Sequence, residues 1–278
     1  MKNGLTFFPK GVHFFRVSMQ LLKAYWQETL AYRGMVIIWG IHSIMVPFVL
    51  MFVWLAVERG SNSPYQDGDY ILYYLAMPLV MNFIDCWTVF TFPEELREGY
   101  FNRQLLKPLH PIWGHVFEHI AAKAFQLLCL VPIVFSISWF MGDYLPDIDF
   151  SFRKIALLFF ALLFAVVLRF VMNTTLAMTG FWIEHVETLN LVFNQAIWAL
   201  LGGMVTPIET LPPIFRIVTD VLPYRYTLSF PIEILRGKIS NGEIIIGFVV
   251  MVCWLFLFSL AGRALWRAGL RIYTAYGG

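Results

Sequence analysis

Charge is scarce in this chain. Only 14% of its 278 residues are Asp, Glu, Lys or Arg, while 59% are hydrophobic; ordinary soluble domains carry about 25% charged residues. That leaves too little polar surface to cover a water-facing globule, so composition excludes a soluble domain and makes the bilayer the missing solvent. The formal net charge of +2 is spread thinly and forms no basic patch for nucleic acid. Cys86, Cys129 and Cys253 fall in three different apolar runs without CxxC spacing, which argues against a disulfide framework or a zinc ribbon and leaves them as small core residues. The opening eleven residues mix Lys2, Pro9 and Lys10 with a short apolar patch and offer no cleavage site, so no cleaved signal peptide is predicted.

Catalytic signatures are missing as well. A self-contained ATPase needs GxxxxGK[ST] after a strand. Gly237, Lys238, Ile239 and Ser240 match only its tail, with Ile239 at the hydroxyl position and no glycine-rich lead. Nucleophile-elbow, paired-carboxylate and dinucleotide patterns do not occur. One string needs weighing: His115, Glu118 and His119 form HxxEH, which resembles the inverzincin signature of two zinc-ligating histidines and a general base. It supports an alternative reading as an intramembrane metalloenzyme. No third ligand is evident, and polar residues at a membrane boundary read more simply as headgroup-level contacts. The chain is therefore read as non-enzymatic, with no catalytic residue, no metal and no cofactor bound by the chain itself.

What the sequence does have is apolar runs. Crossing ~30 Å of hydrocarbon takes about 20 mainly apolar residues in helix, because every backbone amide must be satisfied within the segment. Six stretches qualify, at about 34–57, 70–92, 115–141, 155–183, 188–205 and 244–262. The fold class is thus an all-α polytopic membrane protein, a single transmembrane domain over residues 1–278. An even count puts both termini on one side. Eleven Lys or Arg lie in the termini and the segment between spans two and three, against seven on the other side, so both ends are expected in the cytoplasm and the chain in the cytoplasmic membrane. Phe15, Met19, Leu22, Trp26 and Leu30 recur at helical spacing opposite a stripe of Arg16, Gln20, Lys23 and Gln27, which predicts an interfacial amphipathic helix over 12–33, or a helix packed on a neighbouring subunit. Between spans five and six, residues 207–242 contain Pro207, Pro212, Pro213, Pro223 and Pro231 among pieces too short to cross, and predict a re-entrant outer segment.

Charges inside spans are costly and merit a functional reading: Asp85, Lys123 and Arg169. At 1.5 Å per residue, Asp85 and Lys123 sit at similar depth, ~10 to 12 Å from the cytoplasmic edge on consecutive helices, and qualify as ion-pair partners. Arg169 is deeper, and should face a bundle interior, cavity or subunit interface rather than lipid. Asn173, Asn190, Asn194 and Gln195 read as interhelical hydrogen-bond glue.

Three segments together carry a resemblance: Arg97 to Leu109 (REGYFNRQLLKPL); Leu222-Pro223-Tyr224-Arg225-Tyr226 with Phe230-Pro231-Ile232-Glu233 and Leu235-Arg236-Gly237; and the tail Trp266 to Tyr273. In order and spacing, over nearly the whole chain, they resemble the permease subunits of bacterial ABC transporters of the type 2 exporter class. The resemblance implies a subunit that pairs with itself or a related permease and recruits two separate ATPase subunits, on which ATP and magnesium bind. It also implies that the segment 93–113 is a cytoplasmic coupling loop touching the ATPases, with contact roles for Glu94, Glu95, Arg97, Glu98, Arg103 and Lys107. The outer segment, with Pro207, Pro212, Pro213, Pro223 and Arg225, would close the pathway on the far side. Residues 263–278 form the expected cytoplasmic tail.

Overall fold

The structure, a computed structural model, describes residues 11–58, 65–107 and 109–274. Lys2, Lys10, Pro108 of the LLKPL string and the last four residues of the expected tail lie outside these. Among the described residues every regular element is helical. In chain order they are α1 (Gly11–Ala31), α2 (Arg33–Glu58), α3 (Asp67–Ile84), α4 (Thr88–Arg97), α5 (Tyr100–Leu105), α6 (Ile112–Phe140) and α7 (Phe152–Ala177). Then follow α8 (Val186–Asn190), a π-helical stretch (Leu191–Ile197), α9 (Trp198–Leu201), α10 (Pro213–Val221), α11 (Tyr224–Thr227), α12 (Ser229–Arg236) and α13 (Asn241–Ile272).

Five helical stretches are long and apolar enough to cross a membrane: Arg33–Val57, Asp67–Arg97, Ile112–Phe140, Phe152–Phe181 and Asn241–Ile272. The expected fifth span, 188–205, is different. Its helical run covers only 186–201, and sixteen residues at 1.5 Å give about 24 Å, short of the ~30 Å core. Gly202 and Gly203 end it, Gly203 with φ of +92°, where a side chain would also overlap the Tyr73 hydroxyl. α13 shows the opposite deviation: its 32 residues reach about 48 Å, so most of the expected tail is a continuation of the last span.

α3 is the centre of the bundle. Tyr70, Tyr73, Tyr74, Met77 and Ile84 have at most 1% of their surface exposed, the all-round apolar burial of a core helix rather than the one-sided stripe of a surface one. It is surrounded by α2, α6, α7 and α12, and its side chains join Leu168, Phe230 and Met251 in one large cluster. The expected second span is not one helix. Asp85 adopts an extended conformation (φ −67°, ψ 133°), α3 stops at Ile84, and α4 restarts at Thr88.

α1 lies along α6, with Trp26 edge-on to Phe125 at 6.3 Å. The apolar stripe read from the sequence is divided by this packing: Leu22 and Trp26 are partly covered, while Phe15, Met19 and Leu30 remain exposed. The segment 93–113, expected as a loop, consists largely of the end of α4, the whole of α5 and the start of α6. Gly99, at φ of +75°, makes the turn between α4 and α5.

Candidate functional site

Around the break in the second span, α2, α3, α4, α6, α7 and the π-helical stretch enclose a cavity of about 550 Å³. Lys123, 7% exposed, lies 3.9 Å from Asp85 and donates to Gln126 Oε1 at 3.2 Å. Asn82 Nδ2 donates to the same oxygen at 3.0 Å. Arg169, 5% exposed, donates to the Asn194 carbonyl at 2.9 Å and stands 4.6 Å over the Trp198 ring. Trp198 is held in turn by its indole N–H on Thr227 Oγ1 at 3.0 Å. The π-helical stretch carries Asn194 into this site, in keeping with the tendency of such turns to mark functional positions. Trp39, Trp87 and Phe90 form an aromatic rim, with Trp39 edge-on to Trp87 at 5.2 Å. His42, Asp85 and Gln195 also line the cavity and are exposed.

At the Arg97 end of the bundle, α4 and α5 form a short helical hairpin resting on an aromatic cluster. Phe92 and Phe101 pack edge-on to Phe181 and against Trp266, and Phe101 meets Tyr273 at 5.1 Å. This places Glu94, Glu98, Arg103 and Lys107 outward, together with exposed Tyr100 and Leu106. Of the other two residues assigned a contact role, Arg97 is exposed but bonded within the chain, and Glu95 is half-buried. Arg97 donates to the Glu184 carbonyl at 2.8 Å and to Glu187 at 2.9 Å; that hydrogen bond holds the Glu187 carboxyl below its ordinary pKa. Glu95 accepts from Gln104 at 2.5 Å and lies 3.4 Å from His115.

The HxxEH string does not assemble. His115 is buried between Glu95 and Glu118, tying α4 to α6. His119 lies 3.2 Å from the Phe83 carbonyl, on another neighbour. Among the described residues no group of three or more His, Cys, Asp or Glu is placed to hold a metal, so the metalloenzyme reading is unsupported.

At the opposite end the expected re-entrant segment is mostly helical. Pro207 opens a turn whose carbonyl accepts from the Thr210 side chain at 2.7 Å. Pro212 and Pro213 start α10, and Pro223 precedes α11, positions where a helix needs no amide donor. α12 turns back into the bundle, with Phe230, Ile232 and Ile234 at most 2% exposed. The non-helical backbone at 202–206 is met by side-chain donors: buried Tyr73 on the Gly203 carbonyl at 2.7 Å, and half-buried Trp54 and buried Tyr74 on that of Val205 at 2.7 and 2.9 Å. Irregular backbone at membrane depth requires such partners.

Two ion networks fasten this end. Arg225 bridges Asp220 and Glu233, the latter at 2.7 Å with Glu233 only 1% exposed. Burial works against the Arg225 charge, but Glu233 and Asp220 outweigh it and raise its pKa. Arg236 bonds Glu209 at 2.8 Å, lies 3.4 Å from Asp69 and stacks on Tyr65, while Lys238 reaches Asp69 at 2.5 Å. Burial chiefly, and then Glu209, push the Tyr65 hydroxyl pKa up. Sequence reasoning singled out Arg225 but not Tyr65, Asp69 or Glu209. Nothing local marks them; the only signal was the density of charges flanking otherwise apolar runs.

A bundle of long apolar helices, with buried charges around a cavity and irregular backbone held inside, defines a polytopic membrane protein of the transport class. Comparison with protein families agrees: the model of the ABC-2 family transporter proteins matches residues 43–277. The chain belongs to the ABC-2 family and is a multi-pass ABC transporter permease. No curated protein and no solved structure gave a match.

Proposed function

We propose that this chain is the permease subunit of an ATP-driven exporter, sitting in the cytoplasmic membrane with both termini in the cytoplasm. It forms half of a translocation pathway and is driven by two separate ATPase subunits. The observation that carries this reading is the α4–α5 hairpin: its inner face is fixed by Phe92 and Phe101, and its outer face presents Glu94, Glu98, Arg103 and Lys107. A rigid element with both charge signs outward suits docking in a cleft of a soluble partner. Export follows from the resemblance to the type 2 exporter class. The second half of the pathway is a further permease, the same chain or a related one, and it covers the mouth of the cavity. Asp85, whose side chain is 60% exposed in the middle of a span, supports this, since a carboxylate there is too costly to face lipid.

The test is capture of the ATPase by the tagged permease. Glu98→Arg combined with Arg103→Glu inverts two of the four outward charges without touching the aromatic cluster. The pair should release the ATPase while leaving thermal unfolding unchanged; full retention of the ATPase would overturn the reading.

A further inference from the structure

The charges around the cavity do not balance among the described residues. Lys123 is met by Asp85 at 3.9 Å. Among the described residues no carboxylate lies within ion-pair distance of Arg169, whose hydrogen bonds go only to the carbonyl and side chain of Asn194. Two cations and one carboxylate leave one uncompensated positive charge, nine-tenths buried or more, inside a span. An unpaired buried guanidinium is among the costliest groups a membrane protein can hold.

The polar atoms beside it are also left open. Arg169 Nε and Asn194 Nδ2 are buried donors without a hydrogen-bond partner among the described residues, and Asn82 Oδ1 and Asn173 Oδ1 are buried acceptors in the same condition. All four residues line the one cavity and are at most 6% exposed. Buried polar atoms are rarely orphaned, and a cluster of them around a cavity calls for an unseen occupant. Water can satisfy amides but cannot neutralise the arginine.

α3 ends at Ile84 and α4 begins at Thr88 beside the cavity, so the opposed ends of their dipoles offset each other and the excess positive charge is that of the side chains. The mouth is oily, with Trp39, Trp87 and Phe90.

We propose that this cavity binds an anionic headgroup that also carries hydroxyls, as in a phosphate-linked polyol, with Arg169 on the anionic oxygens. Arg169 Nε and Asn194 Nδ2 then donate to the oxyanion, where charge-assisted bonds are strongest. Asn82 and Asn173 accept from the hydroxyls. The aromatic rim accommodates the start of an acyl chain. The inference rests on the permease reading only in taking the bound group for cargo or its headgroup; the site itself follows from the charge count and the orphaned atoms. The same chemistry is offered by a membrane lipid and by a free phosphate ester, and the experiment separates them.

The full chain is reconstituted in phosphatidylcholine nanodiscs and titrated with tritiated dioctanoyl phosphatidylglycerol. Dioctanoylglycerol, which lacks the phosphate, and free glycerol phosphate are added as competitors. Saturable binding that dioctanoylglycerol fails to displace is expected. Arg169→Gln should weaken it by about tenfold or more, the scale of one charged hydrogen bond, with partial rescue in Arg169→Lys. Displacement by glycerol phosphate alone would support the site and make its ligand a soluble ester; failure of that competitor would support the site and assign it to a lipid.

Absence of saturable binding, equal binding by Arg169→Gln, or full displacement by dioctanoylglycerol would overturn the proposal. Should Arg169→Gln not fold, Asn173→Leu decides. It leaves the bonds of Arg169 in place and should weaken binding several-fold; unchanged affinity would overturn the assignment. ATPase capture is scored on the same preparation. Captured ATPase without lipid binding sinks the site alone, and lipid binding without capture sinks the permease reading alone.

Discussion

Glu233 has almost no contact with solvent, and its negative charge is tolerated because Arg225 grips it at 2.7 Å and the Ser229 hydroxyl donates to it at 2.8 Å. Removing one partner of such a pair strands the other. Arg225→Ala should lower unfolding stability by about 3–5 kcal/mol, read in a thermal or chemical melt in detergent, and adding Glu233→Gln should recover part of the loss. An additive double variant would mean that the two residues do not act as a pair. His110 presents the converse case, a ring that burial keeps neutral, with its pKa lowered to about 4. Its Nδ1 accepts the Ile112 amide at 3.4 Å, and its ring lies 4.4 Å from that of Trp266. The unfolded chain takes up a proton near pH 6.5 and the folded one does not, so this contribution is complete above pH 6.5 and is lost as the pH falls toward 4. The melting temperature should drop across that window, and less steeply in His110→Gln; an equal slope in both proteins would remove His110 as a cause.

Among elements, the hairpin α4–α5 depends on α13 at a distance in sequence. A methyl at Gly269 would overlap the Phe181 ring, which sits between Phe101 and Trp266. Gly269→Ala should cost about 1–3 kcal/mol by overpacking and raise amide exchange across Tyr100–Leu105, while Gly34→Ala, in open space, should do neither. Exchange unchanged by Gly269→Ala would show that the hairpin stands without α13. This dependence was invisible in the sequence, because Phe92, Phe101, Phe181, Trp266 and Tyr273 come from four separate regions. The break at Asp85 was equally hidden. Ile84-Asp85-Cys86-Trp87 contains neither proline nor glycine, the usual punctuation, and a tertiary ion pair with Lys123 accompanies the interruption. By contrast, the starts of the long spans were legible, since apolar runs alone set them. The end of α13 was not: hydropathy stops at Arg263, whereas Arg, Ala and Leu are good helix formers and carry the helix on to Ile272.

For the whole molecule, the proposed second permease sets a geometric requirement. His42, Asp85 and Gln195 are exposed at the cavity mouth, so this is the face that must be covered. Cysteine introduced at Gln195, in a background lacking Cys86, Cys129 and Cys253, should give an oxidised dimer on native membranes when the chain pairs with itself. Native Cys253 alone, exposed elsewhere on α13, should not. Strong cross-linking through Cys253 and none through position 195 would move the interface to the other side.

A stiff rod passes tilt from one tip to the other, whereas a jointed rod does not. The second span is two limbs meeting at Asp85–Trp87, and its far limb is moored by Asp69 to Arg236 and Lys238. If the hairpin docks as proposed, a push on it is expected to swing the near limb while the moored one stays put. Spin-label distances between α5 and α12 should change when nucleotide loads the partner, while those between α3 and α12, tied by Asp69 and Arg236, hold; equal changes in both would refute the joint. Such a knee lets one mouth of a conduit open while the other remains shut, which is how a pump avoids becoming a leak.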